Sequence, residues 1–332
     1  YNVDVTDANG CNASSSDLVI NAPAELIFDN ISNLDVTCHG LTDGSITASA
    51  SGGTGAIEYT LNPGNISNST GYFNNLPGGT YQVTITDANN CSLTSSDIIV
   101  IEPDEVLIDN IDYTDISCHG TDDGSITVTA SGGTGILSYN LQPVDITNNT
   151  GVFNNLSGGT YTVTVTDQNN CGPAISSDII ITDPPALVID SENAINCTCN
   201  GCDDGIIEVV ASGGTGLLTY TLNPDGISNN NGTFNNLAPG IYTVYVEDEN
   251  GCNITSSDLI INEPGVFNID SLNVEHLTCH NANDGSISVY VSGGVTPYTF
   301  TLNPDGVTNA TGIFENLDGG DYTVTITDGN GY

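Results

Sequence analysis

Thr80-Tyr81-Gln82-Val83-Thr84-Ile85-Thr86-Asp87 returns as Thr160-Tyr161-Thr162-Val163-Thr164-Val165-Thr166-Asp167, then as Ile241-Tyr242-Thr243-Val244-Tyr245-Val246-Glu247-Asp248, and again as Asp321-Tyr322-Thr323-Val324-Thr325-Ile326-Thr327-Asp328. The step is 80 or 81 residues, and Gly52-Gly53, Gly132-Gly133, Gly213-Gly214 and Gly293-Gly294 keep it. Within the phrase Tyr81, Val83 and Ile85 alternate with Gln82, Thr84 and Thr86, the period of a half-buried strand. A chain that copies one such unit is a stack of small domains, and no single active site is expected to be assembled across it.

Working outward from Tyr161, the same unit contains more strands of this kind. Val106-Leu107-Ile108 follows Glu102-Pro103, and the polar loop Cys118-His119-Gly120-Thr121-Asp122-Asp123-Gly124 comes next. Ser125 to Ala130 alternates, Gly132-Gly133-Thr134-Gly135 turns the chain, and Leu137 to Leu141 makes a second strand carrying Tyr139. Asp167-Gln168-Asn169-Asn170 reads as a tight hairpin, Ser177 to Ile181 as a closing strand, and Asp183-Pro184 as punctuation. Six or seven short strands with no helical period predict an all-β fold: tandem immunoglobulin-like β-sandwich modules of about 80 residues in an extended array. The expected boundaries are 1–22 (the last strands of a preceding repeat), 23–102, 103–183, 184–263, and 264–332, which lacks its last strand. In Leu-x-x-Gly-x-Tyr, the residues Tyr81, Tyr161, Tyr242 and Tyr322 have the spacing of a tyrosine corner, a structural hydrogen bond back to the chain.

The composition excludes whole classes of function. There are 41 Asp and Glu but no Lys or Arg among 332 residues, a formal charge of −41. Nucleic acid and anionic membrane surfaces are repelled, and lysine-based cross-links and Schiff bases are chemically unavailable. No run approaches the roughly 18 apolar residues of a membrane helix, so direct membrane insertion is not expected. Charged residues are only 12% of the chain, and regular apolar alternation distinguishes it from an acidic disordered tail. The sequence opens in mid-repeat without a signal peptide, which reads as a window of a longer exported protein.

The string Asp123-Gly124-Ser125-Ile126-Thr127-Val128-Thr129-Ala130-Ser131-Gly132-Gly133-Thr134-Gly135, followed by Gly158-Gly159-Thr160-Tyr161 through Asp167, resembles the SprB repeat. So do the flanking Ser117-Cys118-His119-Gly120 and Asn170-Cys171, and the resemblance extends over all four units. It implies a place in very large surface adhesins of gliding and related Bacteroidetes, exported to the cell exterior.

Three residue groups are candidates for chemistry. His39, His119 and His280 follow a loop cysteine and His276 lies just before one, but the third unit has Asn200 in that place, so the histidine reads as a loop residue and not as a nucleophile's partner. Asp43, Asp123, Asp204 and Asp284 precede a glycine in each unit and are candidate Ca²⁺ ligands, although Asp-Gly is also a favoured turn pair. Asp87, Asp167, Asp248 and Asp328 occupy the hairpin. Asn68, Asn148, Asn231 and Asn309 sit in Asn-x-Ser/Thr triplets near one loop and are candidate glycosylation sites. No cofactor is required by this inventory.

Ten cysteines recur in two phased series, Cys11, Cys91, Cys171, Cys252 and Cys38, Cys118, Cys199, Cys279, with Cys197 and Cys202 extra in the third unit. In-phase cysteines read as half-cystines of an extracellular protein. Three registers respect the repeat. Joining residues about 27 apart gives Cys11–Cys38, Cys91–Cys118, Cys171–Cys199 and Cys252–Cys279, with Cys197–Cys202 closing locally. Joining residues about 53 apart gives Cys38–Cys91 and its successors, and the third register joins a loop to the next module, as in Cys38–Cys171. The first is preferred because it leaves no cysteine without a partner, yet it works only if the closing strand and the following Val106-Leu107-Ile108-type strand run antiparallel, side by side. The expected function is a non-catalytic, disulfide-stapled stalk or filament segment at the cell surface, partnered by neighbouring repeats of the same chain or other copies in a fibre. The alternative is an adhesin module that binds a glycan or surface receptor through its Asn-rich loops.

Overall fold

The computed structural model describes residues 1–332, and every regular element in it is a strand. The repeat 23–102 shows the plan. One sheet has three antiparallel strands in the order Ile27–Leu34, Gly44–Ser51, Tyr72–Leu76. The other runs Ile98–Val100, Gly79–Thr86, Glu58–Asn62, Ile66–Asn68, with Ser92–Thr94 also paired to Gly79–Thr86. Consecutive strands therefore cross between two facing sheets, the connectivity of an immunoglobulin-like sandwich. The repeat 184–263 has the same plan, with Val188–Ile195, Gly205–Ser212 and Thr233–Leu237 in one sheet and Thr219–Asn223, Gly240–Glu247 and Leu259–Ile261 among the strands of the other.

Alternation places the core. Tyr81, Val83 and Ile85 point inward to meet Ile46, Ala48, Leu61 and Phe73 from both sheets, and Ile46, Leu61, Val83 and Ile85 have no exposed surface. Ile207, Leu222, Val244 and Val246 do the same in the third repeat. Each such aliphatic contributes about 1.5–3 kcal/mol by leaving water. The first strand pair carries a register shift at the same place in every repeat, between Phe28 and Asn30, Ile108 and Asn110, Ile189 and Ser191, and Ile269 and Ser271. A bulge of this kind bends and twists the strand over the core.

The chain divides into two compact units. One comprises Tyr1–Thr114, Ser125–Asn154 and Thr160–Ile181; the other comprises Asp115–Gly124, Asn155–Gly159 and Thr182–Tyr332. The division runs through the expected module 103–183, whose cysteine loop Asp115–Gly124 goes with the later unit. The reason is local: Cys118 is bonded to Cys252, and Ile116 pairs its backbone with Thr182.

The repeat 264–332 is less complete. Its second sheet has only Val307–Asn309, Thr299–Asn303 and Thr323–Thr327. Its buried set is reduced to Ile287, Val289, Phe300, Leu302 and Phe314.

Candidate functional site

The recurring polar groups converge where one repeat hands over to the next, and three pieces build that junction. The first is the loop after the first strand. In each copy an aspartate folds back on the residue six before it: Asp43 accepts the backbone N–H of Thr37 at 3.0 Å and also its hydroxyl. Asp123 takes Ser117, Asp204 takes Thr198 and Asp284 takes Thr278 in the same two-pronged way. The side-chain hydroxyl, then the backbone N–H, hold all four carboxyls below the ordinary carboxylate pKa.

The second piece is the acid-proline linker. Glu102 accepts the Gly40 N–H at 2.7 Å, Asp183 accepts that of Gly120 at 3.3 Å, and Glu263 accepts that of Gly201 at 2.6 Å. His39 Nδ1 lies 3.2 Å from the Pro103 carbonyl and 3.3 Å from Glu102. His119 Nδ1 lies 3.1 Å from the Pro184 carbonyl and 2.9 Å from Asp183. A carbonyl only accepts, so both rings carry the proton on Nδ1. In the third repeat the Asn200 amide donates to the Pro264 carbonyl at 3.0 Å. Asparagine thus replaces histidine because the job is to donate one hydrogen bond to the linker.

The third piece is the hairpin after the tyrosine strand. Asp87, Asp167, Asp248 and Asp328 are buried. Asp167 accepts N–H groups from Asn169 and Cys171 on one oxygen, both at 2.8 Å, and from Thr134 on the other at 2.7 Å. Asp87 does the same with Asn89, Cys91 and Thr54, and Asp328 with Asn330, Tyr332 and Val295. Backbone donors, that of Cys91 first for Asp87 and that of Tyr332 first for Asp328, lower these two pKa values. The aspartate ties the hairpin to the glycine turn, and the turn must be glycine: Gly53 has φ +64°, and a Cβ there would stand 2.9 Å from Asp87 Cβ.

The hairpin of one repeat then meets the loop of the repeat before it. Asn169 donates to the Thr37 carbonyl at 3.2 Å, Asn250 to that of Ser117 at 2.9 Å, and Asn330 to that of Thr198 at 2.6 Å. Beside these bonds Cys38 pairs with Cys171 and Cys118 with Cys252, with Cα atoms 5.4 and 5.6 Å apart. At the third junction Tyr332 stands where the cysteine would be. Its hydroxyl is 3.3 Å from Thr198 Oγ1 and 3.7 Å from Cys202 Sγ, while Cys199 bonds Cys202.

The expected pairings Cys11–Cys38, Cys91–Cys118, Cys171–Cys199, Cys252–Cys279 and Cys197–Cys202 are therefore not those of the structure, which takes the loop-to-next-module register. The start of the first strand and the hairpin of one repeat line a common cleft with the preceding cysteine loop: Val106, Leu107, Cys171 and Cys38 all border it. The repeat's own cysteine, Cys118, already lies beyond the far end of that strand, Leu107–Thr114, eight residues or about 26 Å away, and the expected partner Cys199 comes only after the first strand of the following repeat, Val188–Ile195. Bridged Cα atoms must lie within about 7 Å. Cys197 is buried in the apolar core, at the position that Val36 and Ile116 fill in the earlier repeats. Cys11, Cys91 and Cys279 are exposed free thiols.

The other candidates are engaged within the fold. Tyr81, Tyr242 and Tyr322 donate their hydroxyls to the carbonyls of Pro77, Ala238 and Asp318, each four residues upstream, at 2.9, 3.0 and 3.2 Å; Tyr161 is buried at the same place. Asn68, Asn148 and Asn309 clamp their own loops, each accepting two backbone N–H groups and donating to a carbonyl four residues on. In the third repeat that clamp is Asn229, and Asn231 accepts the Thr233 N–H instead. Calcium takes six to eight oxygens; no group of three or more His, Cys, Asp or Glu that could hold a metal ion is present, and Asp43, Asp123, Asp204 and Asp284 spend their oxygens on their own loops. Sequence reasoning missed Asn169, Asn250 and Asn330 and the acid of each acid-proline pair. The signal was present in the repeated Asp-x-Asn-x-Cys of the hairpin.

The depressed carboxyls give a pH dependence of definite sign. A carboxyl whose folded pKa lies below its unfolded value stabilises fully above about pH 4 and loses that contribution as pH falls through the folded value. Exposed carboxylates protonate earlier, which relieves the self-repulsion of 41 acids. With no Lys or Arg the chain cannot build up strong positive charge in acid. The melting temperature is therefore expected to rise between about pH 5 and 4 and fall below it. A steady rise down to pH 2 in a calorimetric series would show that the loop and hairpin clamps contribute nothing.

A family model described as "SprB repeat" matches residues 34–66, 110–145, 191–226 and 271–307, each stretch holding one cysteine loop. No curated protein matches. Among solved structures, the N-terminal eight immunoglobulin domains of Down syndrome cell adhesion molecule share 14% identity at a TM-score of 0.29, over 97% of this chain and 48% of that one. Domains 1–6 of surface layer protein SbsC share 13% identity at 0.25, over 98% of this chain and 54% of that one. The chain thus spans about half the length of each of these two. The SprB repeat model thus matches at four positions across the chain, once in each of the four sandwiches.

Proposed function

We propose that the chain is a load-bearing stalk segment of an adhesin-like protein at the cell surface, with no catalytic residue. The observation that carries this reading is the junction: within each unit, adjacent repeats are tied by a disulfide, an asparagine amide and a linker bonded back to the loop beside it. Such ties restrict bending where a plain linker would not, and tension along the chain falls on a covalent bond. Disulfides persist outside the reducing cytosol, and the SprB family implies the same compartment. The groups that resembled catalytic or binding residues hold backbone, which leaves the repeats alike and without a distinctive site. Neighbouring repeats of the same long chain are the proposed partners, and uniform negative charge keeps parallel stalks apart.

Small-angle scattering on the oxidised segment tests this. Four sandwiches joined in line, each roughly 25 Å long, give a radius of gyration of roughly 30 Å or more. A value near the roughly 20 Å of a single compact 332-residue body would end the stalk reading.

A further inference from the structure

The linkers between repeats carry an acid before a proline, as Glu102-Pro103, Asp183-Pro184 and Glu263-Pro264, and Asp183-Pro184 is the one Asp-Pro step in the chain. The difference is chemical. An aspartate carboxylate reaches its own backbone carbonyl carbon by closing a five-membered ring, where glutamate must close a larger and less favourable one. The group displaced there is the proline nitrogen, which bears no hydrogen in the chain and leaves as a basic secondary amine.

The fold fastens the bond between Asp183 and Pro184 from both sides. Before it, the Thr182 N–H donates to Asp115 at 2.6 Å and the Thr182 carbonyl accepts the Ile116 N–H at 3.4 Å. After it, the Pro185 carbonyl accepts the Gly214 N–H at 2.9 Å. Gly158 leaves room for the acid, since a Cβ there would stand 2.7 Å from Asp183 Cβ. Asp183 Oδ1 accepts from His119 Nδ1 at 2.9 Å and from the Gly120 N–H at 3.3 Å, which leaves Oδ2 as the free oxygen. The same Nδ1 lies 3.1 Å from the Pro184 carbonyl, so one proton-bearing ring reaches groups on both sides of the bond. The Asp183 side chain is 39% exposed and therefore open to water. All of these residues belong to the same compact unit.

We propose that the chain cuts itself between Asp183 and Pro184. Asp183 Oδ2 attacks the Asp183 carbonyl carbon, the C–N bond breaks, and the proline nitrogen leaves with a proton from the doubly protonated His119 ring. The cyclic anhydride formed at Asp183 takes up one water and opens to two carboxyl groups, returning a proton to His119. The event happens once in each chain and acts on no outside substrate, so it is compatible with a stalk that catalyses nothing. The two pieces stay joined, because Cys118 lies before the cut and its partner Cys252 after it. Tension across that junction then passes through the disulfide.

The experiment holds the 332-residue chain, with its disulfides formed, in mildly acidic buffer in which the repeats stay folded. Intact mass is followed with and without reductant. The expected product is one water heavier than the starting chain before reduction, and separates into 1–183 and 184–332 after it. The same chain reduced and unfolded in urea at the same pH is expected to cut about tenfold more slowly, because the carboxylate is no longer held beside its carbonyl. Asp183→Glu keeps the acid that the other two linkers use, and His119→Asn keeps the hydrogen-bond donor that the third repeat uses. Each is expected to slow the cut by about tenfold or more. A chain that stays whole, a first cut at another bond, pieces that part without reductant, an unfolded chain that cuts as fast, or either variant cutting at the unmodified rate overturns the proposal.

Discussion

Replacing Cys38 and Cys171 by serine together lowers the stability of the first two repeats by about 5 kcal/mol, and replacing Cys118 and Cys252 does the same to the second and third. Each bond spans 133 or 134 residues, and closing so long a loop removes that much entropy from the unfolded chain in the chain-entropy treatment. For a cooperative block of two sandwiches this is a fall in melting temperature of about 10–20 °C. The effect has a second signature, because one bond reaches into two repeats. With it, neighbouring repeats melt in one transition; without it, each melts as a small sandwich of about 80 residues with a modest core. Cys91→Ser is the control, since that thiol is exposed and unpaired, and its change is expected to stay within about 0.5 kcal/mol. Calorimetry of the three variants side by side decides it. If the paired replacements behave like Cys91→Ser, the cross-repeat bonds do not hold the repeats together.

The fold was legible in the sequence because its signals are local. Alternation at Tyr81-Val83-Ile85, the glycine turn before each second strand and the proline after each acid all act within a few residues, and four copies average out accident. The disulfide register was not legible, and the reason is physical. In a perfect repeat, pairing a loop with the hairpin of the preceding repeat, of its own repeat or of the next leaves the same periodic pattern, so phase alone does not separate the three. The distance along the first strand removes the own-repeat pairing, because Leu107–Thr114 keeps the two cysteines of one repeat apart, and the bonds to Cys171 and Cys252 take Cys38 and Cys118 from the preceding hairpins. Counting unpaired cysteines also misled, because it assumed that every partner lay between residues 1 and 332; the structure leaves Cys11, Cys91 and Cys279 free. Cys197 was read by its residue type, when its alignment with Val36 and Ile116 marked it as core. The asparagines of the triplets looked exposed because their loops are, but their amides are occupied by backbone.

Tyr332→Cys is expected to move a disulfide. The third junction has the same frame as the other two, with Asp328 gathering the hairpin and Asn330 donating to Thr198, but the phenol of Tyr332 occupies the cysteine position. Cys199, the counterpart of Cys38 and Cys118, turns instead to Cys202, three residues away. A thiol at position 332 would face Cys199 as Cys171 faces Cys38. Its thiolate attacks Cys199 Sγ, Cys202 leaves as a thiolate, and no outside oxidant is consumed. The exchange trades a three-residue loop for one of 133 residues, the same span as Cys38–Cys171, worth about 3 kcal/mol more in the chain-entropy treatment. The last two repeats are then expected to melt together and at higher temperature, while the Cys202 thiol becomes reactive towards alkylating agents. A non-reducing peptide map reads the pairing directly. If Cys199 remains joined to Cys202 in the variant, the tyrosine junction differs from the other two in backbone placement as well as in side chain. The frame shared by Asp328 and Asn330 would then not be enough to bring the two cysteine positions together.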